Sequence, residues 1–261
     1  MNLVSQFYIV KHLKFKKMTK EKFYGVALLL VGQFFVACNS DIKNEDPKTE
    51  FTNRHVLTKA EQASLTPDQV LQEFKEGNLR FKQGNITQRE HSEEIRKAVT
   101  DGQFPKAMVL SCVDSRVPVE DVFDQGMGDV FVGRVAGNFV NTDLLGSMEF
   151  ACKVAGAKLI MVMGHQHCGA VKGAIDDVHM GNITSMLANI KPAVAMSQNF
   201  EGEKTSTNEK FVREVAQNNV KNTIAQIRAK SEILRSMEKN GEIKIVGVFY
   251  TLRTGEIHFI E

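Results

Sequence analysis

Residues 158–163 read Lys158-Leu159-Ile160-Met161-Val162-Met163, and the chain runs straight on into Gly164-His165-Gln166-His167-Cys168-Gly169. The run from Leu159 to Met163, apolar at every position, reads as a strand covered on both faces, the mark of a parallel sheet between layers of helix. Upstream, residues 141–154 have a helical pattern closed by Gly156. Further back, residues 107–111 (AMVLS) form a second buried strand, residues 118–123 a short helix and residues 130–132 another strand. Thr66-Pro67-Asp68-Gln69 opens a helix, with Thr66 as N-cap, Pro67 at the first position and Gln69 completing a capping box. Val70, Leu71, Phe74 and Phe81 give that helix its apolar face, and residues 91–99 are helical too. Downstream, one long helix is expected over residues 208–238, then a terminal strand pair over 243–250 and 256–260 about Thr254-Gly255. Strands alternating with helices predict a single α/β domain with a mainly parallel central sheet flanked by helices. No internal repeat is present.

The 261 residues hold 33 Lys+Arg against 31 Asp+Glu, a net charge of +2, with 43% hydrophobic and 25% charged residues. That composition excludes disordered, collagen-like and coiled-coil classes. The positive charge is local. Residues 1–37 carry six Lys and one Glu, so the remainder holds 27 basic and 30 acidic residues, a net of −3. Nothing in that balance points to nucleic acid.

Lys11 to Lys22 form a positive n-region, and Phe23 to Phe35 an apolar core too short for the ~30 Å of a bilayer. The run ends in Phe35-Val36-Ala37-Cys38, which resembles a bacterial lipobox with Cys38 as the lipidated residue. The expected division is therefore a lipoprotein-type signal peptide over 1–37, a lipidated polar tether over 38–54 and the globular domain over 55–261. Met18 is an alternative start. An uncleaved anchor, with Cys38 an ordinary apolar residue, is the other reading. The first implies export to the periplasm or outer membrane, held through a lipid on Cys38.

Three candidate metal ligands follow two of the expected strands: Cys112 after the first, His165 and Cys168 after the 158–163 strand. In open parallel sheets, ligands gather beyond the carboxyl ends of the strands, which allows the three to converge although 53 positions separate Cys112 from His165; core cysteines without a metal are the other reading. Two thiolates and an imidazole suit Zn²⁺, and three protein ligands leave a fourth position for water. Cys112-Val113-Asp114-Ser115-Arg116 places a carboxylate and a guanidinium beside the first ligand, where Arg116 orients Asp114 bidentately. Gly164 and Gly169 bracket the other two and allow close backbone approach. Cys152, in the 141–154 helix, is either a buried apolar residue or a fourth ligand that would make the site structural.

Here the chain resembles the β-class carbonic anhydrases. Cys-x-Asp-x-Arg appears as Cys112-Val113-Asp114-Ser115-Arg116, and Gly-His-x-x-Cys-Gly as Gly164-His165-Gln166-His167-Cys168-Gly169. Gly128-Asp129-Val130-Phe131 and Arg134-Val135-Ala136-Gly137-Asn138 also look like family sequence. The resemblance implies one zinc per subunit on Cys112, His165 and Cys168, and reversible hydration of CO₂ to bicarbonate by zinc-bound hydroxide. It implies an Asp114–Arg116 dyad accepting a hydrogen bond from the zinc-bound water. It also implies a glutamine, Gln103, that serves the neighbouring subunit's substrate, an aromatic, Phe131, lining the CO₂ pocket, and the Gly169 amide beside a substrate oxygen.

A homodimer or homotetramer follows from the same resemblance. Val109 stands where a bicarbonate-inhibited subgroup has Trp, which implies a site left open by Asp114 rather than closed by it. Two thiolates make the zinc less acidic than three histidines would, so activity is expected to rise into alkaline pH. His167 is read either as a proton shuttle or as a solvated side chain. Hydrolysis of a CO₂-like molecule such as carbonyl sulfide, or a non-catalytic structural zinc site, are the alternatives.

Overall fold

The computed structural model describes residues 55–88 and 91–260. The leader, Cys38 and the tether lie outside the described residues. Five strands form one sheet in the order β2-β1-β3-β4-β5. β1 (Ala107–Ser111), β2 (Val130–Arg134), β3 (Leu159–His165) and β4 (Lys244–Tyr250) are parallel, and β5 (Ile257–Ile260) runs antiparallel against β4. Side chains alternate between the two sheet faces, and both faces are buried. Met108, Leu110, Ile160 and Val162 pack on one side against α9 (Glu209–Lys230) and α10 (Glu232–Lys239). Val109, Leu159, Met161 and Met163 pack on the other against α2 (Pro67–Lys82) and α4 (Val119–Val122). The uninterrupted apolar run at 159–163 is explained by that double cover.

Local chemistry sets the element ends. Thr66 accepts the Gln69 N–H while Gln69 Oε1 accepts the Thr66 N–H at 2.8 Å, the expected capping box of α2. A second box, Thr58 with Glu61, starts α1 (Lys59–Ser64), an element absent from the sequence reading. α3 (Glu93–Ala98) falls within the expected 91–99 stretch.

The expected long helix over 208–238 is in fact two. Ser231 takes an extended conformation (φ −111°, ψ 106°) that ends α9, and its hydroxyl accepts the Leu234 N–H to cap α10. Serine competes well for that role because its oxygen replaces the missing intrahelical acceptor. The expected 141–154 helix runs as α5 (Thr142–Glu149) and then as a π-helical turn, Phe150–Val154. α6 (Gly169–Ile175), α7 (Gly181–Ala188) and α8 (Lys191–Met196) are also absent from the sequence reading. Such short helices are stable only through packing, here around Cys112, Cys168 and α9. Among the described residues no helix is long and apolar enough to cross a membrane.

Candidate active site

The site forms where β1 and β3 end. β1 pairs with β3 in register Leu110↔Val162, which brings the residue after β1, Cys112, level with the C-terminal end of β3. His165 is the final residue of β3, and Cys168 is the N-cap of α6. Gly164 lets α9 sit directly on this part of the sheet: a Cβ there would lie 2.8 Å from Val220 Cγ2. Gly169, by contrast, faces open space, so its lack of a side chain is not demanded by close approach.

Cys112 Sγ and Cys168 Sγ lie 4.0 Å apart, and the ligand atoms of Cys112, His165 and Cys168 are all within 4.8 Å of one another. A tetrahedral zinc about 2.3 Å from each sulfur would separate them by about 3.8 Å. The His165 ring is oriented for the role. Its Nδ1 donates to the Gln166 carbonyl at 2.9 Å, so the proton is on Nδ1 and the lone pair on Nε2. That Nε2 is buried with no hydrogen-bond partner. All three side chains are at most 4% exposed. The two sulfurs share a hydrogen bond, which pulls the Cys112 thiol down and, with burial, pushes Cys168 strongly up. Burial and the neighbouring Cys112 sulfur keep Cys168 protonated, and a cation bound between the two sulfurs would make both thiolates. The donor set fits zinc.

Arg116 clamps Asp114. Nε donates to Oδ1 at 2.9 Å, Nη2 to Oδ2 at 2.8 Å, and the Arg116 backbone N–H adds a third bond to Oδ1 at 3.0 Å. Those bonds hold the Asp114 carboxyl at about 2, below the usual carboxylate range. Asp114 Oδ2 lies 3.9 Å from His165 Nε2, so the carboxylate borders the ligand set while remaining on Arg116. Arg134, in sequence only one residue of the Arg134–Asn138 motif, fixes the loop behind Cys112: Nη1 donates to the Cys112 carbonyl at 2.9 Å and Nη2 to the Val117 carbonyl at 2.7 Å. Only the fold shows this, because the loop follows β1 and the arginine ends β2.

Gln103 and Phe131 are not brought to this point within one chain, whereas His167 borders it and its carbonyl accepts from Arg116 Nη2 at 3.4 Å. Phe131 pairs with Met108, four residues before Cys112, which places it roughly 13 Å back along the sheet. It sits on the edge strand β2, edge-on to Phe150, in a groove of about 620 Å³. Gln103 is exposed and precedes β1, at the opposite end of that strand from Cys112. His167 has its Nε2 3.8 Å from Glu209 and a left-handed backbone (φ 55°). Cys152 lies in the other core layer with Met108 and Ile160, outside the metal cluster, and burial pushes its thiol up to about 12. It is an apolar core residue.

Comparison with known proteins agrees. The carbonic anhydrase family profile matches residues 107–257. Carbonic anhydrase 2 of Mycobacterium tuberculosis is 35% identical over 187 residues, covering 70% of this chain and 87% of that one. The carbonic anhydrase of Mycolicibacterium smegmatis is 34% identical over 189 residues, covering 70% and 88%. Among solved structures, the Coccomyxa β-carbonic anhydrase in complex with acetazolamide superposes with a TM-score of 0.57 at 25% identity, over 63% of this chain and 75% of that one. A tetrameric β-carbonic anhydrase of Sordaria macrospora shares the fold, with a TM-score of 0.58 at 24% identity over 64% and 86%. By sequence match, sheet topology and a Cys-His-Cys cluster at the strand ends, this chain belongs to the β-class carbonic anhydrases.

Proposed function

We propose that the protein reversibly hydrates carbon dioxide to bicarbonate and a proton, using zinc held by Cys112, His165 and Cys168. The observation that carries this reading is the convergence of those three buried side chains beside a carboxylate already locked by arginine. Bound there, zinc supplies a Lewis acid that makes a hydroxide nucleophile available near neutral pH.

The chain's own groups do the rest. Asp114 stays ionised on Arg116 and offers Oδ2 as an acceptor that orients the attacking oxygen. Because Arg116 engages both carboxylate oxygens, Asp114 is kept off the metal, which supports the open form. The Gly169 N–H, at the first position of α6, has no intrahelical acceptor and is available to a substrate oxygen.

Gln103 and Phe131 complete the pocket from a second copy of the chain. Their separation from Cys112 along β1 and β2 supports that reading, as does the tetrameric state of the Sordaria relative. Export and lipid anchoring through Cys38 rest on the leader sequence alone; radiolabelled fatty acid appearing on the wild-type chain and not on Cys38→Ala tests them.

The decisive experiment is stopped-flow CO₂ hydration on the purified protein, with bound zinc counted in parallel. Activity with about one zinc per chain, both lost in Cys168→Ser, is the expected result. Activity that survives that substitution would refute the zinc mechanism.

A further inference from the structure

The Cys112 sulfur accepts a hydrogen bond from the Gly137 N–H at 3.3 Å. Gly137 lies in the loop after β2 with φ +84°, a left-handed conformation, and a Cβ there would meet Ile190 Cδ1 at 2.4 Å. Such a residue does not hold its own orientation, because glycine has the widest conformational freedom of any residue. It is held from the far side. Asn219, fully buried on α9, donates its Nδ2 to the Gly137 carbonyl at 2.6 Å. One turn further along α9, the Thr223 hydroxyl donates to the Asn138 carbonyl at 3.3 Å. The Asn219 Oδ1 is buried with no partner, a cost that an apolar side chain would avoid. The amide group is therefore retained at a stability penalty, and its one bond is to the residue that addresses the thiolate.

We infer that Asn219 is a positioning residue of the metal centre: by gripping the Gly137 carbonyl it aims the Gly137 N–H at the Cys112 sulfur. Asn219 touches neither metal nor substrate. The N–H bond pins the sulfur and withdraws charge from it, which strengthens the Lewis acidity of whatever ion the sulfur binds. This rests on the zinc reading of Cys112, and the test separates the two.

Zinc affinity is measured by chelator competition on the folded protein, its isosteric Asn219→Asp variant and Asn219→Ala. Thr223→Val, which releases the same loop without freeing Gly137, is the control. Zinc should bind about tenfold more weakly to both Asn219 variants and within twofold of the parent to Thr223→Val. After cobalt substitution, the thiolate-to-cobalt absorption should shift in the Asn219 variants alone, and the rate–pH profile should move to higher pH. Equal zinc affinity across the set, or an equal loss in Thr223→Val, would overturn the inference while leaving the zinc site intact. Should the Asn219 variants not fold, the cadmium-113 form of the unaltered protein decides. Its Gly137 amide proton should couple to cadmium through the sulfur, and no coupling overturns the inference. A parent protein that binds no zinc sinks both readings together.

Discussion

At the scale of single residues, the site depends on geometry that close relatives of each side chain cannot supply. Arg116 presents a planar fork to both oxygens of Asp114 and adds its own backbone N–H. Lysine offers one point charge in place of that fork. Arg116→Lys should therefore lower kcat/KM by roughly 10²-fold or more, the range typical of losing one preorganised electrostatic contact. Zinc content should stay near one per chain, and a rate within twofold of the parent would show that the clamp is not needed. Cys152 supplies the opposite case. Buried in the other core layer with a thiol pushed up to about 12, it should tolerate Cys152→Ala with no change in zinc stoichiometry. Loss of metal in that variant would reinstate it as a ligand.

At the scale of elements, caps decide where helices begin and break. Ser231 ends α9, caps α10 through Leu234, and donates to Glu149 Oε1 at 2.6 Å across the packed helices. Replacing it by alanine removes both contacts from a buried site and should cost about 1–2 kcal/mol, readable as a lower urea midpoint. The cap of α1 carries a pH dependence. Glu61 is lowered from 4.5 to about 2, chiefly by the Thr58 backbone N–H it accepts, with the Thr58 hydroxyl and His55 adding to the shift. A depressed carboxylate contributes stability above its unfolded pKa and loses it as pH falls through the folded one. The α1 contribution should thus be complete above about 4.5 and vanish toward 2, and Glu61→Gln should flatten that part of the acid-unfolding curve relative to the parent.

At the scale of the whole molecule, one chain carries the metal ligands at one end of β1 and Gln103 at the other. If a second copy supplies Gln103, two different defects can complement. Cys168→Ser lacks the metal site but keeps Gln103; Gln103→Ala lacks the glutamine but keeps the metal site. Mixed and refolded together, the two inactive proteins should recover activity approaching a quarter of the wild-type level, since half the dimers are mixed and each has one complete site. Recovery no greater than the sum of the separate proteins would place Gln103 outside the site.

Much of this was legible along the chain because local physics writes it there. The doubly covered strand at 159–163, the Thr66 capping box and the two ligand motifs following strands all depend on neighbours a few residues away, and all stand in the structure. The break at Ser231 was not legible, since a serine in a helical pattern caps only where packing turns the chain, here against Glu149. α6, α7 and α8 were missed for the same reason, being held by the core around the cysteines rather than by their own periodicity. Within the site, the sequence by itself determined which donors exist and that two strand ends would carry them, because ligand type and strand pattern are properties of adjacent residues. Only the tertiary structure decided that Arg134 braces Cys112, that Asn219 reaches Gly137, and that Cys152 lies in another layer. Those relations join residues that the chain separates by tens of positions, and only the register of the sheet and the packing of α9 on it bring them within a hydrogen bond or keep them apart.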